Sequence, residues 1–166
     1  MKNFINISDI SKNELRLILD NAKSRKEKRS KLNKNAIDHD TPLDGKILIM
    51  IFEKPSMRTR ISFDLAVKQL GGKSLILNPN EIHYGSGNES LYDTAKILSQ
   101  YADVVMLRTY AHKKVLDFSK YLVSGIKKAI SIVDQSVFVF FSSGSASFFI
   151  LTKLPPKEKP LYNFTL

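Results

Sequence analysis

The sequence predicts an α/β fold: a three-layer domain with a central parallel sheet flanked by helices. Three observations carry that expectation. "KILIMIF" at 46–52 is a short, nearly continuous apolar run, as a strand buried on both faces would be. Two further runs of that kind, "KSLILN" and "DVVMLRT", are separated from it by segments with helical apolar spacing. Strand and helix alternate, and that order places helices on both faces of a parallel sheet.

Taken in order, the first element is a helix. "SDISKNELRLILDNAKSRKEKRSK" sets Glu14 three residues after Ser11, the spacing of a capping box, and Leu15, Ile18, Leu19 and Ala22 then share one face. Its basic tail, "KSRKEKRSK", reads as a solvated helix end, since cations suit a helix C-terminus, or else as a patch for a polyanion. "NKNAIDHDTPLDG" is rich in turn formers and reads as a linker. After the strand at 46–52, "ISFDLAVKQLGG" turns Ile61, Leu65, Val67 and Leu70 toward a sheet, and Gly71 and Gly72 stop the helix. A strand near 73–78 precedes the polar loop "PNEIHYGSGN". The helix "ESLYDTAKILSQYA", a strand near 103–109 and the helix "HKKVLDFSKYL" follow. No internal repeat is present.

Past Leu122 the character changes. "SVFVFFSSGSASFFILT" at 136–152 has no charge and is rich in Phe and Ser. Its serines make it a poor membrane helix, so a buried or poorly packed β segment is expected. "LPPKEKPLYNFTL" reads as an extended tail. The expected division is therefore 1–121 as the folded domain and 122–166 as a divergent segment.

The length of 166 residues suits one domain with a real core. A net charge of +10 suits nucleic acid, an anionic surface or small phosphorylated substrates, without choosing among them. With no cysteine, disulfides and Cys-ligated metal are excluded. "MKNFINISDI" lacks the apolar stretch of a signal peptide, so the cytoplasm is the default and no membrane association is expected.

The chemistry gathers at "FEKPSMRTRISF", residues 52–63. In a parallel sheet, ligands collect where strands end and helices begin. The strand at 46–52 ends at Phe52, and the next helix starts around Ser56 to Arg58. Unpaired N–H groups there, with the Ser56 and Thr59 hydroxyls, form a cradle for an anion. Arg58 offers a planar, multi-donor fork to a phosphate, and Arg60 can do likewise or pair with Asp64 one turn later. The strand near 103–109 ends at Arg108, placing another arginine on the same rim. The plainer reading is that Ser56 caps the helix and the arginines are solvated; spacing leaves both open.

"FEKPSMRTRISFDLAVKQLGG" resembles the carbamoyl-phosphate-binding signature of the aspartate/ornithine carbamoyltransferases, F-x-[EK]-x-S-[ST]-R-T-R-x-S-F-E. The likeness continues through "NESLYDTAKILSQYADVVMLRTYAHKKVLDFSKY" and spans residues 4–121. Lys54 is similar to the ornithine branch. The resemblance implies that Ser56, Arg58 and Thr59 bind the phosphate of carbamoyl phosphate, with Met57 contributing its backbone N–H where the family usually has Thr. It implies that Arg108 contacts carbamoyl phosphate near its carbonyl oxygen, with Arg58 and Arg108 as the catalytic pair. Arg60 matches an arginine that is structural more often than ligand-binding. Transfer to the δ-amine of ornithine, giving citrulline and phosphate, is the implied reaction. No metal, no organic cofactor and a trimeric assembly are implied with it.

Departures accompany the match. The family's loop glutamine is replaced near Tyr84 and Asn88, so no ligand role is carried to that loop. His39, His83 and His112 are followed by Asp40, Tyr84 and Lys113, so the H-P-x-Q motif that polarises the carbonyl is absent from these residues. His112 is expected at the surface. No ornithine-binding domain is expected after residue 121. The expectation is a truncated remnant that keeps the carbamoyl phosphate half-site and is inactive alone. Two alternatives stand beside it: a non-catalytic module for a small anion or another subunit, and a basic nucleic-acid binder, for which no recognised motif speaks.

Overall fold

In a computed structural model, residues 5–80 and 90–122 are described, together with the backbone of strands at 128–132, 137–139 and 150–152. A short 3-10 turn, Ile7–Asp9, leads into α1 (Lys12–Arg29). The order continues β1 (Ile47–Phe52), α2 (Met57–Gln69), β2 (Lys73–Leu77), α3 (Leu91–Tyr101), β3 (Val104–Arg108) and α4 (His112–Tyr121). β4 (Lys128–Ile132) follows, then β5 (Val137–Val139) and β6 (Ile150–Thr152).

The expected strands pair as parallel neighbours. The sheet order is β2-β1-β3-β4, with Ile49 opposite Leu75 on one side of β1 and opposite Val105 on the other. Alternate residues of β1 face opposite ways, so each layer receives its own core. Leu48, Met50 and Phe52 pack with Phe63, Val67 and Leu70 around α2. Ile49 and Ile51 pack with Ala95, Leu98, Val115 and Phe118 from α3 and α4. Burial on both faces is why β1 reads as an unbroken apolar run rather than an alternating one.

The helix ends follow local chemistry. Ser11 and Glu14 form the full capping box, the Ser11 side chain accepting from the Glu14 N–H at 3.3 Å and the Glu14 carboxylate from the Ser11 N–H at 2.9 Å. α2 stops in a Schellman arrangement: Gly72 N–H donates to Val67 O at 2.9 Å and Gly71 N–H to Lys68 O at 3.0 Å. Gly71 sits at φ +86°, where a Cβ would come within 3.0 Å of Thr41.

Several expectations need correction. The basic tail of α1 is not wholly solvated. Arg25 and Arg29 are largely buried and both hold Asp38, which is itself only 8% exposed. Arg25 also pairs with Asp40 at 2.6 Å. The linker is therefore fastened to α1, and Asp38 N–H further donates to Gln69 O at the end of α2. Leu19, placed on the apolar face of α1, is 43% exposed, while Ile18 is buried. Arg60 does not pair with Asp64. It lies over the Phe52 ring at 5.4 Å, and Asp64 takes Lys68 and the Ser74 hydroxyl instead.

The segment after Leu122, expected to diverge from the folded domain, begins with β4, which extends the parallel sheet, Val105 lying opposite Ala129. The physical reason is the bare edge of β3: its unpaired N–H and C=O groups are satisfied by an added extended run. Within the Phe-rich segment at 136–152, the described strands β5 and β6 pair antiparallel. The loop holding His83, Tyr84 and Asn88 lies outside the described residues. No helix among the described residues is long and apolar enough to cross a membrane.

Candidate anion-binding site

The topology singles out one crevice. From β1 the chain passes through α2 to β2 on one side, and from β3 through α4 to β4 on the other. β1 and β3 are adjacent, and their following helices cover opposite faces of the sheet. Such a switch point leaves an opening outside the strand C-termini, where open α/β sheets bind ligands. Phe52 and Arg108, the last residues of these strands, lie opposite each other across it.

The start of α2 lines that opening. Ser56 is the N-cap residue, in extended backbone, but its side chain makes no cap hydrogen bond, contrary to the plainer reading from sequence. Its hydroxyl instead donates to Thr59 Oγ1 at 2.8 Å. The first N–H groups of α2 are thus left without a side-chain cap, at the positive end of the helix dipole. Thr59 is buried, and its hydroxyl also accepts from the Arg108 guanidinium at 3.1 Å. Ser56, Thr59 and Arg108 are therefore brought together, 49 residues apart along the chain for the last pair.

Arg108 has a further peculiarity. Its Nε–H is buried without a hydrogen-bond partner. A buried donor left unmade is costly, and an acceptor entering beside it would remove that cost. Met57 and Arg58 differ from the other three: both are exposed on the first turn of α2, Met57 at 74%. His112 is the first residue of α4 and half-buried. Among the described residues no group of three or more His, Asp or Glu is gathered to hold a metal.

A second cluster, to which the sequence reading gave no role, braces the crevice. Glu53 N–H donates to Arg108 O at 2.8 Å. The Glu53 carboxylate accepts from the Thr109 hydroxyl and from Lys114 Nζ, the latter at 2.9 Å. A charged residue placed directly after an unbroken apolar strand was the available signal. Lys54 lies 5.6 Å from the centre of the Tyr110 ring at the same rim.

Fold and site together define a class: an α/β domain whose strand-end crevice gathers hydroxyls, helix N–H groups and a guanidinium suited to a small anion. Comparison narrows this. The family described as "Aspartate/ornithine carbamoyltransferase, carbamoyl-P binding domain" matches residues 2–135, and the chain belongs to that family. An ornithine carbamoyltransferase of Rhizorhabdus wittichii is 45% identical over 120 residues, covering 72% of this chain and 38% of the relative. One from Brucella ovis is 42% identical over 131 residues, covering 79% and 40%. Among solved structures, the ornithine carbamoyltransferase of Pyrococcus furiosus superposes with a TM-score of 0.68 at 37% identity, covering 80% of this chain and 39% of that one. The catalytic subunit of M. jannaschii aspartate transcarbamoylase gives 0.64 at 34% identity, covering 79% and 40%. The chain thus spans about two-fifths of the length of these relatives.

Proposed function

We propose that this chain carries the carbamoyl phosphate half-site of an ornithine carbamoyltransferase. The observation that carries the reading is Arg108, bonded to Thr59 at the uncapped start of α2 with its Nε–H buried and unpaired. In this reading the N–H groups at 57–59, the Ser56 and Thr59 hydroxyls and the Arg58 fork hold the phosphate. Arg108 donates toward the carbonyl oxygen. When the δ-amine of ornithine attacks the carbonyl carbon, charge grows on that oxygen; as the C–O bond to phosphate breaks, charge grows on the leaving group. Arg58 and Arg108 answer both developments, which is electrostatic catalysis with positioning. Lys54 and the ornithine carbamoyltransferases among the relatives support ornithine as acceptor.

The 166 residues by themselves hold only this half of the reaction, because no His-Pro pair occurs among them to polarise the carbonyl. Self-association, as a trimer, and a cytoplasmic setting belong to the same reading. Titration calorimetry with carbamoyl phosphate tests it, inorganic phosphate serving as competitor. Saturable binding lost on competition is expected. Absence of that binding, with tight and strongly salt-dependent binding of duplex DNA instead, would move the assignment to a basic nucleic-acid binder.

A further inference from the structure

The bracket of Glu53, Thr109 and Lys114 sits between the two strand ends that form the crevice, yet none of its side chains belongs to the cradle. The Glu53 carboxylate is buried, its side chain only 10% exposed, while Lys114 is half-exposed. A buried carboxylate beside an anion site is unfavourable unless paired and hydrogen-bonded. Here one oxygen accepts from Lys114 Nζ, which neutralises the charge, and the other accepts from the Thr109 hydroxyl. That hydroxyl in turn accepts from Ala111 N–H at 3.3 Å, at the start of α4. Thr109 is 1% exposed and immediately follows Arg108, whose carbonyl accepts from Glu53 N–H. Glu53 is thus tied twice to the exit of β3, through its N–H to the carbonyl of Arg108 and through its carboxylate to the side chain of Thr109. Three residues later the same strand exit becomes the N-cap Ser56.

From this we infer that Glu53 is a positioning residue that holds Arg108 in register with the Ser56 and Thr59 hydroxyls, with Lys114 cancelling its charge so that an anion is tolerated nearby. The inference rests on the anion-site reading for its function, but the geometric part can be read without any ligand. The backbone ladder alone sets where β3 ends; it does not set how the residue after it is turned. Thr109 is fixed by its side chain, and the direction in which the Arg108 side chain leaves the strand depends on that fixation. Burial of the Arg108 Nε–H is the mark of a guanidinium held in place rather than sampling solvent.

The test uses the 166-residue chain labelled with 15N at arginine Nε, the Arg108 Nε–H signal being assigned by its loss in Arg108→Lys. In the ligand-free wild type a separate, slowly exchanging signal is expected. In Glu53→Ala it should collapse toward the exposed arginines, and in Glu53→Gln it should persist, because the Gln carbonyl still accepts from Thr109. Calorimetry with carbamoyl phosphate gives the functional arm. Glu53→Ala should weaken binding about tenfold. In that background Arg108→Ala should cost at least about threefold less than in wild type, whereas the cost of Arg58→Ala should be unchanged. A merely structural Glu53 would not couple to one arginine and spare the other. An unchanged Arg108 signal in folded Glu53→Ala would overturn the inference. Equal costs of Arg108→Ala in both backgrounds would overturn it too. If wild type binds no carbamoyl phosphate while the Nε–H signal still depends on Glu53, the bracket stands and the anion-site reading fails. Should Glu53→Ala not fold, Thr109→Val breaks the same link with little change of volume, and loss of the Arg108 signal is again expected.

Discussion

In the proposed reading Arg58 and Arg108 do similar work from different surroundings, and substitutions should separate them. Arg58 is exposed, so replacing it removes a contact to ligand and little else. Arg58→Ala should weaken carbamoyl phosphate binding by about 1.5–3 kcal/mol, or roughly 10- to 150-fold, with the urea midpoint unchanged. Equal binding by calorimetry would remove Arg58 from the site. Arg108 is different because its Nε–H is desolvated with no acceptor in the ligand-free protein. Arg108→Met keeps the stem packed and deletes that unmade bond. Its stability without anion should therefore stay level or rise, by up to about 1–3 kcal/mol, while binding falls. Urea unfolding with and without carbamoyl phosphate checks this: the ligand should raise the wild-type midpoint more than the variant's. At this scale the sequence placed these residues along the chain but did not show what each one touches. Ser56 looked like a cap because Ser is a strong N-cap residue, and only the fold showed its hydroxyl turned to Thr59.

Among the elements, α1 and the linker behind it show how tertiary pairing overrides local reading. Asp38 holds Arg25 and Arg29 while its backbone N–H is tied to the end of α2. Asp38→Ala leaves two largely buried guanidinium groups short of a partner and should cost about 3 kcal/mol in urea unfolding. The pH dependence has a definite sign. The Arg25 hydrogen bond holds the Asp40 carboxyl below its ordinary value of 3.8. Asp64 is also held low: burial pushes it up, but the Ser74 hydroxyl and Lys68 together outweigh that. A carboxyl whose value is lower folded than unfolded adds stability above the unfolded value and loses it as pH falls further. Stability should therefore decline below about pH 4, and Asp40→Asn should flatten that decline slightly, since Asp40 is largely exposed. Urea midpoints at several pH values would show it; a decline beginning near neutrality would point to other groups. Helices and strands themselves were legible, because the capping box, the glycine stop and the apolar runs act within a few residues. The Arg25–Asp38 and Glu53–Thr109 pairs, 13 and 56 residues apart, carry no local signal.

For the whole molecule the decisive expectation is that binding outlasts catalysis. The proposed half-site lies within residues 52–108, but these 166 residues include no His-Pro pair. Loss of one oxyanion donor typically costs about 10²–10³ in turnover. Positioning of the second substrate can supply roughly 7–11 kcal/mol more. The purified chain, given ornithine and carbamoyl phosphate in a preparation free of any other transferase, should form no citrulline above the uncatalysed rate. Sustained turnover abolished by Arg58→Ala would mean that a group elsewhere in the chain replaces the histidine.

The sequence alone determined the α/β class, the three parallel strands to within a residue or two, and the placement of the stretch at 56–59 and of Arg108 at the ends of two of those strands. These are set by periodicity, caps and strand ends, all short-range consequences of side-chain type. Tertiary structure alone decided that β4 continues the sheet, that the basic tail of α1 clamps a loop, and that Arg108 reaches Thr59 rather than solvent. Each depends on which side chains the parallel crossovers bring side by side, and a buried ion pair or an unpaired donor exists only once water has been excluded around it.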